Sequence, residues 1–244
     1  MNTAPDGVGL GEPKLMEPGR HARPAGLLYL VIAAAAIVAH MYMPTTLFGD
    51  GGPSGGVAAT IVDSRVLFLV GGLGGELLIL VSETILSVLL FVLFATVDRT
   101  VALIALVSRL IMTAIHGFNL VHYVMIMQVA TMTGAPGFLD SPGSVDALVS
   151  LLLESHSIGF VLGIAFLPLH MGGLGYLMWH SGSVPRWIGV LFVLSGIGYL
   201  IDTVGILFLP SYTTTPGGVA MIIAAAELVF PFYLLIRGPK VSPA

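Results

Sequence analysis

The sequence predicts an all-α fold, a polytopic integral membrane bundle of six transmembrane helices. Three observations predict it: the composition, the spacing of long apolar stretches, and the placement of the cationic residues. Hydrophobic residues make up 56% of the chain and charged residues 9%, with a mean hydropathy of +1.00. A water-soluble domain carries about 25% charged residues to cover its surface, so water is not the main solvent of this chain. A span takes roughly 20 apolar residues, and 244 residues leave room for such spans with short loops and almost none for a soluble domain. The net charge of −4 arises from few charges, and no Lys/Arg block occurs, which excludes nucleic acid as a partner. Cysteine is absent, and with it disulfides, thiolate metal sites and cysteine nucleophiles.

Residues 1–23 are rich in Pro and Gly without apolar periodicity and are read as a disordered cytoplasmic leader. The rival reading is a signal peptide beginning at Lys14. Its apolar stretch would run from Gly26 to about Met43, longer than the core of about 7 to 15 residues that such peptides carry. The first span is expected from about Pro24 to Met43, stopping at Pro44 before Gly49, Asp50, Gly51 and Gly52. The second stretch, Val66 to Val97, would measure about 48 Å as one helix against a hydrocarbon core of about 30 Å. Its first part, with Gly71, Gly72, Gly74 and Gly75, is therefore expected to lie in the interface or to bend. The third span is about Val101 to Thr131. The fourth, Ala147 to His180, contains Pro168, which cannot donate to the Ile164 carbonyl and should kink the helix. The fifth runs from Pro185 to Leu209, with Pro at its first turn, and the sixth from Gly217 to Arg237. One transmembrane domain, 24–238, is then followed by a cytoplasmic tail, 239–244.

Cytoplasmic loops are enriched in Lys and Arg. Lys14, Arg20 and Arg23 precede span one, Arg99 lies between spans two and three, Arg186 between four and five, and Arg237 and Lys240 follow span six. All seven fall on one side. The opposite loops hold Asp50, Asp63, Asp140 and Asp146, with Arg65 the exception. The consistent topology has both termini in the cytoplasm.

The segment Ser183-Val184-Pro185-Arg186-Trp187-Ile188 opens span five. With it stand Glu76 ahead of the charged turn Asp98-Arg99, Arg109 near the inner end of helix three, and Glu227-Leu228-Val229 leading to Arg237-Gly238 in the last helix. In these features the chain resembles the DUF4386 family of bacterial six-span membrane proteins, over about Pro24 to Gly238. The resemblance implies a multi-pass protein of the bacterial plasma membrane and brings no known reaction. One position departs from the family pattern: Met112 stands where the family often has a Glu three residues after the helix-three Arg.

An ionisable side chain at the centre of a span costs about 2.5 to 3.5 kcal/mol on insertion scales, so each needs a partner or a purpose. Counted from the cytoplasmic ends, Arg109 lies about 13 Å deep and Glu227 about 15 Å. A structural Arg109–Glu227 ion pair between helices three and six is the expected way to bury both. A second layer holds Glu83, His116 and Asp202 at about 20 to 25 Å. Two carboxyls facing only a histidine imply that at least one is protonated at neutral pH. Two readings follow: neutral acids hydrogen-bonded to neighbours such as Tyr199, or a polar cavity for a substrate, ion or proton. Further out stand Glu76, Asn119 and His122, with Glu154 and His156 nearer the surface.

Helical metal ligands share a face at i, i+3 or i, i+4. His116 and His122 are six apart and Glu154 and His156 two apart, so no metal site is predicted. His170, close to Pro168, is expected to take a carbonyl that the proline frees. Glu76 and Glu83 are seven apart, as are Arg109 and His116, and two turns return to nearly the same face. Helices two, three, five and six are therefore expected to surround one polar interior, and helix one to face lipid.

The expected partners are membrane lipid and a lipophilic small molecule, with no cofactor. The first reading is a protein that binds such a ligand in a polar cavity formed by Glu76, Asn119, His122 and Tyr199. The second is an intramembrane acid/base enzyme, a cyclase or isomerase acting on an isoprenoid or lipid, with Glu83 or Asp202 as general acid beside His116. The third is a small proton-coupled transporter using the same carboxyls. No HExxH or P-loop occurs.

Overall fold

A computed structural model describes residues 19–49, 55–132, 141–212 and 215–238, and these contain helices and no strand. Residues 1–18, Asp50, Asp140 and the tail from 239 lie outside the described residues. Among the described residues, six helical runs are long and apolar enough to cross a membrane: His21–Phe48, Leu67–Phe94, Arg99–Ala130, Pro142–Ser181, Arg186–Phe208 and Gly217–Ile236. These are spans one to six.

Span one is α1 (Gly19–Ala36), a π-helical segment Ile37–Tyr42, and the short α2 (Met43–Phe48). It starts inside the stretch read as leader. Ala22 and Ala25 are buried, and α1 packs on the last span, which draws the helix out to Gly19. After the short α3 (Val57–Asp63), span two passes through a second π-helical segment, Leu67–Gly74, into α4 (Gly75–Phe94). The glycine-rich stretch thus continues the helix through a wide turn. Gly72 lets Tyr123 and Met43 come close, and a Cβ there would sit 2.5 Å from the Tyr123 ring.

Span three is α5 (Arg99–Asn119) followed by α6 (Val121–Ala130). Asp98 caps α5, accepting from the backbone N–H of Thr100 at 3.0 Å and of Val101 at 3.1 Å. Span four breaks where Pro168 requires it: α7 (Pro142–Ile164) ends and α8 (Leu167–Ser181) begins with the proline in its first turn. Gly182, at φ 63°, ends α8 in the left-handed conformation that suits glycine. Span five is α9 (Arg186–Phe208), with Pro185 at its cap, and span six is α10 (Gly217–Ile236).

Each span packs against its neighbours in the chain, and α10 packs against both α9 and α1, so the six spans form a closed ring in sequence order. The radial pattern is that of a protein in lipid. On α4, Val81 is 58% exposed and Ile85 46%, whereas Ser82, Glu83 and Ser87 are buried. Two apolar clusters fill the ring. One, at the end where α1 begins and α10 ends, includes Leu90, Phe94, Leu177, Phe192 and Phe230. The other, at the opposite end, includes Leu47, Phe68, Ile126 and Val149. The buried ionisable groups lie between them.

Helix one does not face lipid alone. It packs between α4 and α10, with Ala22, Ala25, Tyr29, Ala35 and Ala39 buried. The expectation weighed ionisable residues only, whereas an alanine face at helical spacing lets a helix approach its neighbours closely.

Candidate functional site

A cavity of about 160 Å³ lies inside the ring and touches all six spans. Its polar lining is Tyr29, His40, Glu76, Glu83, Arg109, His116, Tyr199 and Glu227, and Ile79, Met112, Phe160 and Ile164 are among the apolar residues that complete it. The two stripes inferred from seven-residue spacing, Glu76/Glu83 and Arg109/His116, both face it.

Arg109 finds its partner on span two rather than span six. Its Nη2 donates to Glu83 Oε1 at 3.0 Å, with both side chains under a tenth exposed. The Thr113 hydroxyl reaches Glu83 Oε2 at 3.1 Å and the Arg109 carbonyl at 2.9 Å, two acceptors for a single proton. The expected Arg109–Glu227 pair is therefore corrected. Depth along a helix is a property of Cα positions, by which Glu83 stands about 7 Å above Arg109, a gap that two long side chains on adjacent helices close. Glu227 instead accepts a hydrogen bond from Tyr199 Oη, which joins spans five and six. Glu227 remains in the lining of the same cavity.

Towards the outer end, His40 Nε2 stands 3.4 Å from Glu76 Oε1. His40 belongs to the first π-helical segment, and Glu76 follows the second by two residues; the two segments pack together. A π turn holds an extra residue and displaces the side chains beyond it, a feature frequent at functional sites.

Phe160 is stacked on His116, with ring centroids 4.6 Å apart and an interplanar angle of 8°, and its ring lies 4.8 Å from that of His40. His116 Nε2 donates to the Phe160 carbonyl at 2.9 Å, so this nitrogen carries the proton. Phe160 and His40 also border a second, mainly apolar cavity of about 320 Å³, lined among others by Met43, Phe48, Phe68, Ile126 and Leu153. The two cavities meet at these two residues, between spans one and four.

Of the remaining predicted residues, Asn119 lies one step outside the central cavity. Its amide donates to His156 Nδ1 at 2.9 Å and to the His156 carbonyl at 2.8 Å, and His156 lines the second cavity. His122 Nδ1 donates to the Asn119 carbonyl and lines neither cavity. Asp202 is not brought to Glu83 and His116. Tyr212, from the loop after span five, donates to its Oδ1 at 2.8 Å. Gly205 makes room for the Tyr212 ring, since a Cβ there would meet the ring at 2.6 Å. Equal depth alone does not make one layer, since a loop residue ten positions on supplies the partner. His170 takes the Ala105 carbonyl of α5 at 2.8 Å, rather than one freed by Pro168. Among the described residues, no three His, Cys, Asp or Glu side chains are placed to hold a metal ion.

Sequence reasoning missed Phe160, which carries no ionisable group. The signal for its surroundings is Gly159–Gly163, glycines four apart on α7. A Cβ at Gly159 would run into Asn119, and one at Gly163 into the His116 ring.

Residues 24–238 match the family described as a domain of unknown function, DUF4386. The chain belongs to the DUF4386 family. Among curated proteins it is similar to an uncharacterized protein of Archaeoglobus fulgidus, 36% identical over 81 residues, which covers 33% of this chain and 47% of that protein. No solved structure matches. The Val-Pro-Arg-Trp segment that carries the family resemblance lies away from the cavity. Val184 is buried, Ser183 offers its carbonyl to Tyr233 Oη at 2.7 Å, and the Arg186 guanidinium lies 5.4 Å from the Trp179 ring. These contacts tie spans four, five and six together at one end. Met112, where the resemblance implies a Glu, puts a thioether into the cavity wall beside Arg109.

Proposed function

We propose that this DUF4386 protein is a bacterial plasma-membrane protein, with both termini in the cytoplasm, that binds a lipophilic ligand inside its helical ring. The ligand's polar end sits among Glu83, Arg109 and Tyr29, and its apolar part extends past His40 and Phe160 into the second cavity. The observation that carries this reading is the meeting of a polar cavity and an apolar one at His40 and Phe160. A dry apolar chamber alone would be a packing defect. One that adjoins a chamber of buried charges at His40 and Phe160 suits an amphipathic molecule.

The test is native mass spectrometry of the protein purified in mild detergent, compared with Ala36→Trp, which fills the central cavity, and Phe160→Ala, which joins the two cavities. Retained lipophile should fall in Ala36→Trp and rise in Phe160→Ala, with both variants monodisperse. Equal retention in all three would end the reading.

A second reading, acid/base chemistry on the bound ligand, draws on Glu76. Its Oε1 has no hydrogen-bond partner, and it sits beside His40 where the two cavities meet. Glu83 suits that role less, being held by Arg109 and Thr113, and so does Asp202, being outside the cavity. Glu76→Gln should then abolish conversion of the retained ligand without reducing its amount; unchanged conversion would remove this reading.

A further inference from the structure

The inference drawn here rests on the cavity being a lipophile site, and it names the chemistry of the ligand's polar end. Three residues of the central cavity bury a polar atom that makes no hydrogen bond: Tyr29 Oη, Arg109 Nε and Glu76 Oε1, the last with His40 Nε2 3.4 Å away. The side chains are deeply buried, with Tyr29 6%, Arg109 7% and Glu76 2% exposed. Leaving a buried donor or acceptor unmatched is costly, because its hydration has been lost and nothing replaces it. Tyr29 Oη and Arg109 Nε are both N–H or O–H donors. They belong to α1 and α5, on either side of span two, both residues line the same cavity, and no acceptor of the protein meets either atom.

The charges nearby decide what kind of acceptor fits. The cavity contains three carboxyls, Glu76, Glu83 and Glu227, and one guanidinium, which already holds Glu83. A phosphate or carboxylate would add negative charge to a dry chamber whose only arginine is engaged. A cationic head would find Glu83 taken by Arg109 and Thr113, and Glu227 taken by Tyr199. The remaining carboxyl, Glu76, lies two helical turns from Glu83, about 10 Å away, beside His40. A neutral oxygen acceptor satisfies the two donors without disturbing either carboxyl pair.

We propose that the ligand is a neutral lipophile whose polar end bears a carbonyl oxygen, of the quinone or ketone class. Its oxygen accepts from Tyr29 Oη and Arg109 Nε, its flat head lies along the wall that includes Phe160, and its tail passes His40 into the apolar cavity. Phe160 is already one face of a stack with His116, and a planar head extends an aromatic wall with little ordering cost.

The experiment measures equilibrium binding of decylubiquinone to the full-length protein in detergent, with dodecanoate and dodecyltrimethylammonium as anionic and cationic probes. The wild type should bind decylubiquinone and neither charged probe. Tyr29→Phe should weaken binding about tenfold, the loss of one hydrogen bond. Its melting temperature without ligand should not fall, because the hydroxyl it removes has no partner in the protein. A merely structural tyrosine would shift the melting temperature and leave the affinity alone. Unchanged affinity in Tyr29→Phe, or preferential binding of either charged probe, overturns the proposal. If decylubiquinone fails to bind while Ala36→Trp still loses its retained lipophile, the carbonyl assignment falls and the cavity reading stands. If Ala36→Trp retains that lipophile in full, the cavity reading falls with it.

Discussion

Arg109 donates to Glu83 at 3.0 Å inside the ring, which ties span three to span two at the wall of the central cavity. Both charges are out of water, and their mutual attraction in a low-dielectric interior compensates for lost hydration only while both are present. Removing one leaves the other buried and unpaired, at a cost of ~3–5 kcal/mol. Glu83→Leu and Arg109→Met should therefore each lower the melting temperature of the detergent-solubilised protein sharply. The double variant should recover much of the loss, since well-packed apolar substitutes for a buried ion pair are often neutral or stabilising. Additive losses in the double variant would show that the two residues do not act as a pair.

The Gly159–Gly163 notch makes a more local prediction. His116 lies against Gly163 so closely that a single methyl group would overlap its ring. Gly163→Ala should cost ~1–3 kcal/mol, the usual penalty for overpacking a filled interior, and should break the hydrogen bond from His116 to the Phe160 carbonyl. Adding His116→Ala should restore part of the stability by emptying the contested space. The readout is again thermal melting, and a double variant no more stable than Gly163→Ala would place the damage elsewhere on α7.

Much of this architecture was legible in the sequence, and the limits of that legibility have physical causes. Apolar length gave the six spans, Pro168 gave the break in span four, and seven-residue spacing put Glu76, Glu83, Arg109 and His116 on inward faces. What spacing does not encode is the reach of a side chain or the rotation of a neighbouring helix. Depth alone therefore matched Arg109 with Glu227, where Glu83 was within reach on the adjacent span. Helix one was misplaced for lack of charge, although Ala22, Ala25, Ala35 and Ala39 form the face by which it packs. The π-helical segments add a residue to a turn without a sequence period of their own, and they bring His40 and Glu76 together.

Asp202 separates depth from function. Its carboxylate accepts from Tyr212 and does not line the central cavity. Asp202→Asn and Tyr212→Phe should therefore leave the amount of lipophile retained by the purified protein unchanged, whereas Arg109→Met should reduce it. Quantitative lipid extraction distinguishes the cases. A loss in Asp202→Asn as deep as that in Arg109→Met would place Asp202 within the binding site.

The orientation of the ring is open to a direct chemical test, because the chain contains no cysteine and any introduced thiol is unique. Thr100, in the first turn of α5, and Thr131, just after α6, are both exposed and lie at opposite ends of span three. The proposed orientation, with both termini in the cytoplasm, puts Thr100 on the cytoplasmic side. In intact cells a membrane-impermeant maleimide should label Thr131→Cys and spare Thr100→Cys, and permeabilised cells should show both labelled. The reverse pattern would invert the topology. It would also turn the His40 and Glu76 end of the cavity towards the cytoplasmic leaflet.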